Sequence, residues 1–206
     1  DELEHRVEER TRALTDEVRE RQRGAKLQAA LYGIADLASS ELGMEDMLRR
    51  IHLVVGELMY ARNFFIALYD GERDSVRFIY FADAKDTNVY ETNREVPAAS
   101  LRDSLTLGLI RHGSPVRGPA HQVASVLQVP SGIGLGTPAL DFLGVPIVDD
   151  SGVRGAVVVQ TYEAGVHYSA EDSALLAYVA QHIMTALERK TLQAELEHRV
   201  EDRTRE

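Results

Sequence analysis

The sequence predicts an α+β fold: a central antiparallel β-sheet of five or six strands, helices on both of its faces, and a long helix at each end of the chain. Three observations carry this expectation. Residues Asp141 to Tyr162, DFLGVPIVDDSGVRGAVVVQTY, hold two apolar runs around Asp149-Asp150-Ser151-Gly152, and Asp and Gly tolerate the backbone that a short hairpin turn needs. The second run, VRGAVVVQ, has little polar alternation, so both faces of its strand should be covered. Residues 2–23 and 191–206 are charged and free of Pro and Gly, a composition that suits projecting helices.

Taken in order, residues 1–23 read as a helical connector with interleaved acids and bases, as in a helix supported by i,i+4 pairs. Leu3, Val7 and Leu14 fit heptad positions d, a and a, with Arg10 at the intervening d. So polar a helix needs a partner, and the expected one is the same helix of a second subunit in a parallel coiled coil. The segment ELEHRVEERTR at 2–12 recurs as ELEHRVEDRTR at 195–205, differing only at Glu9 and Asp202. This repeat suggests a standard joint between the modules of a larger protein, continuing past Glu206. The expected division is a coiled-coil connector at 1–23, a folded domain at 24–190 and a second connector at 191–206. Leu187, Leu192, Leu196 and Val200 join Leu3, Val7 and Leu14 as the expected dimer seam. Both stalks are expected to leave the same side and to pair with their counterparts in a dimer, in parallel because elements near a twofold axis meet themselves.

Inside the domain, Leu27, Ala30, Leu31, Ile34, Leu37 and Ala38 form one helical stripe. Met47, Leu48, Ile51, Val54, Val55 and Leu58 form another beyond Gly43. RNFFIALYD (62–70) and SVRFIYFA (75–82) read as a hairpin across Gly71-Glu72-Arg73-Asp74. Asp83 to Pro97 reads as polar loop. Ser100 with Asp103 three residues on suggests an N-cap for a helix through Leu101, Leu105, Leu109 and Ile110, stopped by Gly113-Ser114-Pro115. A short helix is expected over 121–127, then a glycine-rich loop, PSGIGLGTP, at 130–138. Beyond the 141–162 hairpin, Ser169 and Asp172 have capping-box spacing before a helix through Leu175, Leu176, Val179, Ile183, Met184 and Leu187.

LGVPI at 143–147, GAVVVQTY at 155–162, YSAEDSALL at 168–176, VAQHI at 179–183 and ALER at 186–189 closely resemble the C-terminal half of GAF domains. LYGIADLAS at 31–39, GELMYARNFFIALYD at 56–70 and GTPALDFLGVP at 136–146 look like the GAF modules of bacterial multidomain signalling proteins. Those commonly precede a GGDEF diguanylate cyclase or a histidine kinase domain. The resemblance spans residues 27–190. It implies a PAS-related sheet with the early and C-terminal helices on one face and residues 83–140 closing a small-molecule pocket on the other. Phe65, Tyr80, Leu105, Leu109, Ile133, Leu135 and Gln160 are the expected pocket residues. The implied role is a non-catalytic sensory module that signals through dimeric helices to a covalently linked output domain, expected to be a diguanylate cyclase making cyclic di-GMP. The alternative is a structural dimerisation spacer with a degenerate pocket.

Composition narrows the function classes. The net charge of −10 argues against nucleic acid, which needs a basic surface. No apolar run is long enough to span a bilayer, and no signal-peptide pattern opens the chain; a cytoplasmic setting is expected. Cysteine is absent, which removes thiolate metal ligation and cysteine nucleophiles and disfavours the bilin attachment used by photoreceptors of the resembled family. That family's cyclic-nucleotide binders carry an Asn-Lys pair and a Phe-x-x-x-Asp-Glu motif, matched here only in part by Tyr168 to Asp172. Haem through one axial histidine points to His112 or His121, a demand that chance meets easily. GIGLG at 132–136 neither follows a strand nor opens a helix, so it is read as pocket-side loop and not as a phosphate loop. Asp149 and Asp150 are explained by the turn, no nucleophile elbow is present, and the identity of any ligand is unknown.

Overall fold

The computed structural model describes residues 2–86, 91–132 and 134–205, with side chains described through residue 200. Two helices open the chain, α1 (Glu2–Ser39) and α2 (Met44–Leu58). The strands are β1 (Asn63–Asp70), β2 (Ser75–Ala82), β3 (Glu95–Pro97), β4 (Val116–Pro119), β5 (Asp141–Asp149) and β6 (Gly152–Thr161). Two short helices, α3 (Leu105–His112) and α4 (Ala120–Val126), flank β4, and α5 (Ala170–Arg205) closes the chain. The strands form one sheet in the order β3-β2-β1-β6-β5-β4, with every neighbouring pair antiparallel.

Period-two alternation sends each central strand into two cores. Phe64, Ile66, Leu143, Val145, Ile147, Val157 and Val159 point to the layer made by α1, α2 and α5, where they meet Ile34, Met47, Ile51, Val179 and Ile183. Phe65, Ala67, Phe142, Ala156 and Val158 point the other way, to Leu105, Leu107, Leu109, Val123 and Ala124 of α3 and α4. This is why VRGAVVVQ lacks polar alternation. Gly144 and Gly155 are positions where a side chain would collide, the first with the α3 layer and the second with the neighbouring strand. A Cβ at Gly155 would lie 2.1 Å from the Ala67 carbonyl oxygen on β1, and one at Gly144 would lie 2.5 Å from Leu109 Cδ2.

Local signals predicted several boundaries. Ser169 N–H donates to Asp172 Oδ2 (2.8 Å) and Asp172 N–H donates to Ser169 Oγ (3.1 Å), the reciprocal capping box that opens α5. At the 149–152 turn, Asp149 Oδ1 accepts from both Ser151 N–H and Ser151 Oγ–H. These bonds, the side-chain one foremost, hold the Asp149 carboxyl below the usual carboxylate range.

Other expectations are corrected. Ser100 does not cap a helix: its hydroxyl donates back to the Pro97 carbonyl, Ala98–Leu101 is a 3-10 turn, and Ser104 caps α3 by accepting from Thr106 and Leu107 N–H. Gly24 does not interrupt the first helix, so α1 runs from connector into domain without a break. β3 and β4, short edge strands, fall where only loop was expected.

The largest correction concerns the stalks. Arg23 Nη2 meets Glu171 Oε2 at 2.9 Å, the Tyr178 hydroxyl donates to the Leu31 carbonyl at 3.0 Å, and Arg189 Nη2 donates to the Ala38 carbonyl at 3.0 Å. Residue numbers rise together along both helices, so α1 and α5 lie parallel. The segment before residue 23 and the segment after 190 therefore project from opposite ends of the domain, and not from the same side.

Candidate functional site

The cleft on the α3/α4 face begins with four phenylalanines. Phe65 comes from β1, Phe78 and Phe81 from β2, and Phe142 from β5. Phe65 and Phe81 stack with centroids 5.2 Å apart, and Phe78 meets them edge-on at 6.4 and 5.7 Å. Leu105 of α3 and Ala139 complete the apolar wall, and Leu135 of the glycine-rich loop lies over it. The space enclosed is about 40 Å³, room for a few water molecules.

A polar rim surrounds this wall. Asp83 accepts from the backbone N–H of Lys85 and Asp86 (both 2.9 Å), from Gln160 Nε2 (3.2 Å) and from the Tyr162 hydroxyl (2.8 Å). Gln160 Nε2 also donates to Tyr162 Oη at 2.9 Å. Burial, then the Asp83 carboxylate, pushes the Tyr162 phenol well above its ordinary value, so it stays a hydrogen-bond donor. Asn63, fully buried, ties the corner together: its Nδ2 donates to the Gln160 carbonyl (2.9 Å) and its Oδ1 accepts from Ala84 N–H (2.8 Å). Asp86 pins the glycine-rich loop by accepting from Thr137 N–H (2.9 Å) and Thr137 Oγ1–H (2.6 Å). Gly136, at φ +84, allows this approach, since a Cβ there would stand 2.7 Å from Asp86 Oδ2.

Of the residues expected at the pocket, Phe65, Leu105, Leu135 and Gln160 line this cleft. Leu109 is fully buried in the same layer but packs against Gly144 and does not line the cleft. Ile133 lies outside the described residues. Tyr80 sits on the opposite face, and the cause is a β-bulge. The β1–β2 register pairs Ile66 with Tyr80 and Ala67 with Phe78, leaving Ile79 as the extra residue. That insertion turns Tyr80 out of step with Phe78, so it packs with Phe64 and His52 in the helical layer. There His52 Nε2 bonds the Ala61 carbonyl, which can only accept, so Nδ1 is the acceptor for the Tyr80 hydroxyl at 2.8 Å.

Asn63, Asp83, Asp86, Thr137 and Tyr162 were not expected at the site. The Asp83-x-x-Asp86 spacing, suited to an Asx turn, was the available signal. His112 and His121 are exposed and do not line the cleft. Asp141 and the Asp149–Asp150 pair lie at opposite ends of β5, so they form no carboxylate cluster; the buried Asp141 meets His167 Nδ1 at 2.9 Å instead.

Of the expected seam, Leu3, Val7, Leu14, Leu192, Leu196 and Val200 are exposed on the two stalks. Leu187 is half-buried against the helical-layer core. Among the described residues, no helix is long and apolar enough to cross a membrane.

A family model described as the GAF domain matches residues 41–188. Among solved structures, the GAF domain of an Acinetobacter phosphoenolpyruvate-protein phosphotransferase is similar at TM-score 0.62 and 16% identity, covering 81% of this chain and 95% of that one. The GAF domain of a two-component sensor histidine kinase from Bacillus halodurans is similar at TM-score 0.53 and 13% identity, covering 74% and 98%. An enzyme shares the fold as well: free methionine-R-sulfoxide reductase from Neisseria meningitidis, solved in complex with its substrate, is similar at TM-score 0.56 and 16% identity, covering 77% and 86%. No curated protein matches the chain.

Proposed function

The chain belongs to the GAF domain family, and from that premise we propose that it is a non-catalytic sensory module that binds a small ligand in the β1/β2/β5/β6 cleft. The observation that carries this reading is the two-sidedness of β6. Gln160 reaches the cleft from one face of the strand, while Val157 and Val159 pack on the other in the core that holds Val179 and Ile183 of α5. A ligand that shifts the cleft wall strains a close-packed strand, and close-packed layers transmit strain. The signal then passes along α5 to the stalk, where two subunits pair as a coiled coil. An output domain attached beyond Glu206 receives it; a diguanylate cyclase producing cyclic di-GMP is the favoured output, in a cytoplasmic protein.

A second reading, the dimerisation spacer, is favoured by the cavity volume of about 40 Å³, far below the several hundred Å³ usual for metabolite sites. Thermal denaturation against a broad metabolite panel separates the two, because a ligand selective for the folded state raises the midpoint. A reproducible hit that is lost on substituting Gln160 supports the sensor; a panel with no hit supports the spacer. The parent reading frame past Glu206 tests the output assignment, and a histidine kinase there would replace the cyclase.

A further inference from the structure

We propose that two copies of this chain pair in parallel along α1, through an apolar stripe of eleven-residue period that runs from the stalk onto the flank of the domain, with α1 standing between α5 and the twofold axis; this rests on reading the stalks as dimer helices. The stripe consists of three pairs, Leu3 with Val7, Leu14 with Val18 and Ala25 with Ala29, each eleven residues after the last. All six are exposed. At about 3.6 residues per turn they fall on one side of α1. The buried residues of the helix, Ala30, Ile34 and Ala38, fall on the opposite side, where α1 packs on α2 and α5. Tyr32, also exposed, extends the free side along the domain. Residues 3 to 29 span about 39 Å of helix, far more seam than one heptad supplies.

The period decides which residues meet. A seven-residue repeat started at Leu3 arrives at Leu31, which packs against the helical-layer core, so a heptad seam would wind off the free side and into the domain. An eleven-residue repeat makes almost whole turns, stays on the free side and gives a pair with right-handed supercoil. The flanks fit a second copy. Arg6 and Arg10 lie on one side of the stripe, Glu4 and Glu8 on the other. In a parallel, in-register pair opposite flanks face each other, so the arginines of one copy stand beside the glutamates of its partner; an antiparallel pair would set like flank against like flank. α5 follows the same spacing, since Tyr178, Arg189 and Val200 are eleven residues apart. Tyr178 and Arg189 hold α1 through the Leu31 and Ala38 carbonyls. Past Ser39, where α1 ends, that face of α5 carries the exposed Leu196 and Val200. The outgoing stalk therefore turns its apolar side toward α1 and the axis behind it.

The chain has no cysteine, so single cysteines in the whole chain report the register directly. Val18→Cys and Ala29→Cys lie on the stripe. Glu17→Cys and Gln28→Cys lie on the seam of the seven-residue register. All four positions are exposed, so the domain melting point should be unchanged and verifies folding in each variant. Under mild oxidation, the variants at 18 and 29 are expected to form disulfide-linked dimers several-fold faster than those at 17 and 28. Val18→Glu with Ala29→Glu should shift sedimentation from dimer toward monomer. Equal or faster crosslinking at 17 and 28 overturns the eleven-residue seam and leaves a heptad dimer standing. A dimer that crosslinks at none of the four overturns pairing along α1 and places the contact elsewhere. A monomer overturns both this seam and the stalk-paired dimer, while the metabolite panel decides the ligand reading of the cleft separately.

Discussion

Arg189, on the last packed turns of α5, donates from Nη2 to the Ser40 carbonyl at 2.8 Å. The same nitrogen reaches the Ala38 carbonyl, and Lys190 Nζ reaches the Leu42 carbonyl at 2.7 Å. The Ala38 carbonyl in the last turn of α1, which has no intrahelical donor, and the Ser40 and Leu42 carbonyls of the loop that follows are thus satisfied by cations of the helix that leaves the domain. Because α1 and α5 are parallel, this clamp lies where the outgoing stalk begins. A change in the packing of α1 therefore has a short covalent and hydrogen-bonded path to that stalk.

Replacing Arg189 with Met should leave those carbonyls without their donor. Unfolding free energy is expected to fall by about 1–2 kcal/mol, and amide exchange should quicken in the last turn of α1 and in α5 beyond residue 190. Protection unchanged in both places would remove the clamp. The loss is tempered because Arg189 Nε is itself buried without a hydrogen-bond partner among the described residues.

His52 gives the domain an acid limit. Burial, opposed in part by the Ala61 bond, lowers its pKa from the ordinary 6.5. The folded form then binds fewer protons than the unfolded form, so its contribution to stability is complete above about pH 6.5 and is lost as pH falls through the lowered value. The wild-type melting midpoint should drop on acidification from pH 7 to pH 5, and His52→Gln should show a shallower drop in that window. Parallel profiles for the two proteins would assign the acid sensitivity elsewhere.

Gly155→Ala and Gly56→Ala should act in opposite directions. At Gly155 the new methyl would meet the Ala67 carbonyl oxygen at 2.1 Å, forcing β1 and β6 apart; a loss of about 2–4 kcal/mol is expected by chemical denaturation. At Gly56, inside α2, nothing lies within 4 Å, so alanine should stabilise by about 1 kcal/mol through helix propensity.

Charge substitution along the stalks tests the dimer. Val7→Glu with Leu14→Glu places carboxylates on the exposed apolar stripe of α1, where burial without a partner is costly. Sedimentation should show a dimer of the parent protein and a shift toward monomer in the double variant, with the domain melting point little changed. An unaltered dimer would place the contact outside that stripe.

Much of the fold was legible because its determinants are local. Ser169 and Asp172 are three residues apart, so their reciprocal cap could be read directly. VRGAVVVQ has no polar face, so a two-sided cover followed. The same locality misled at Ser100, whose spacing to Asp103 is right for a capping box. Asp103 instead accepts from Ser131 N–H at 3.0 Å, a contact from a distant loop that leaves Ser104 to start the helix. At the cleft, Phe65 was visible as one aromatic of an alternating strand. Tyr80 was misplaced because the bulge at Ile79 depends on how β2 pairs with β1, and a strand's own periodicity does not record an extra residue.

The amino-acid order by itself determined the long elements, the two-faced sheet and the family, since hydrophobic period, turn residues and caps act between near neighbours in the chain. Tertiary structure alone decided that α1 and α5 run parallel, sending the stalks out of opposite ends. It also decided that Asp83, Asp86, Gln160 and Tyr162 meet around the phenylalanines, and that Tyr80 does not. Those outcomes rest on contacts between residues as many as 151 positions apart, such as Ala38 with Arg189. Their energies come from how whole layers pack, and no short stretch of sequence encodes them.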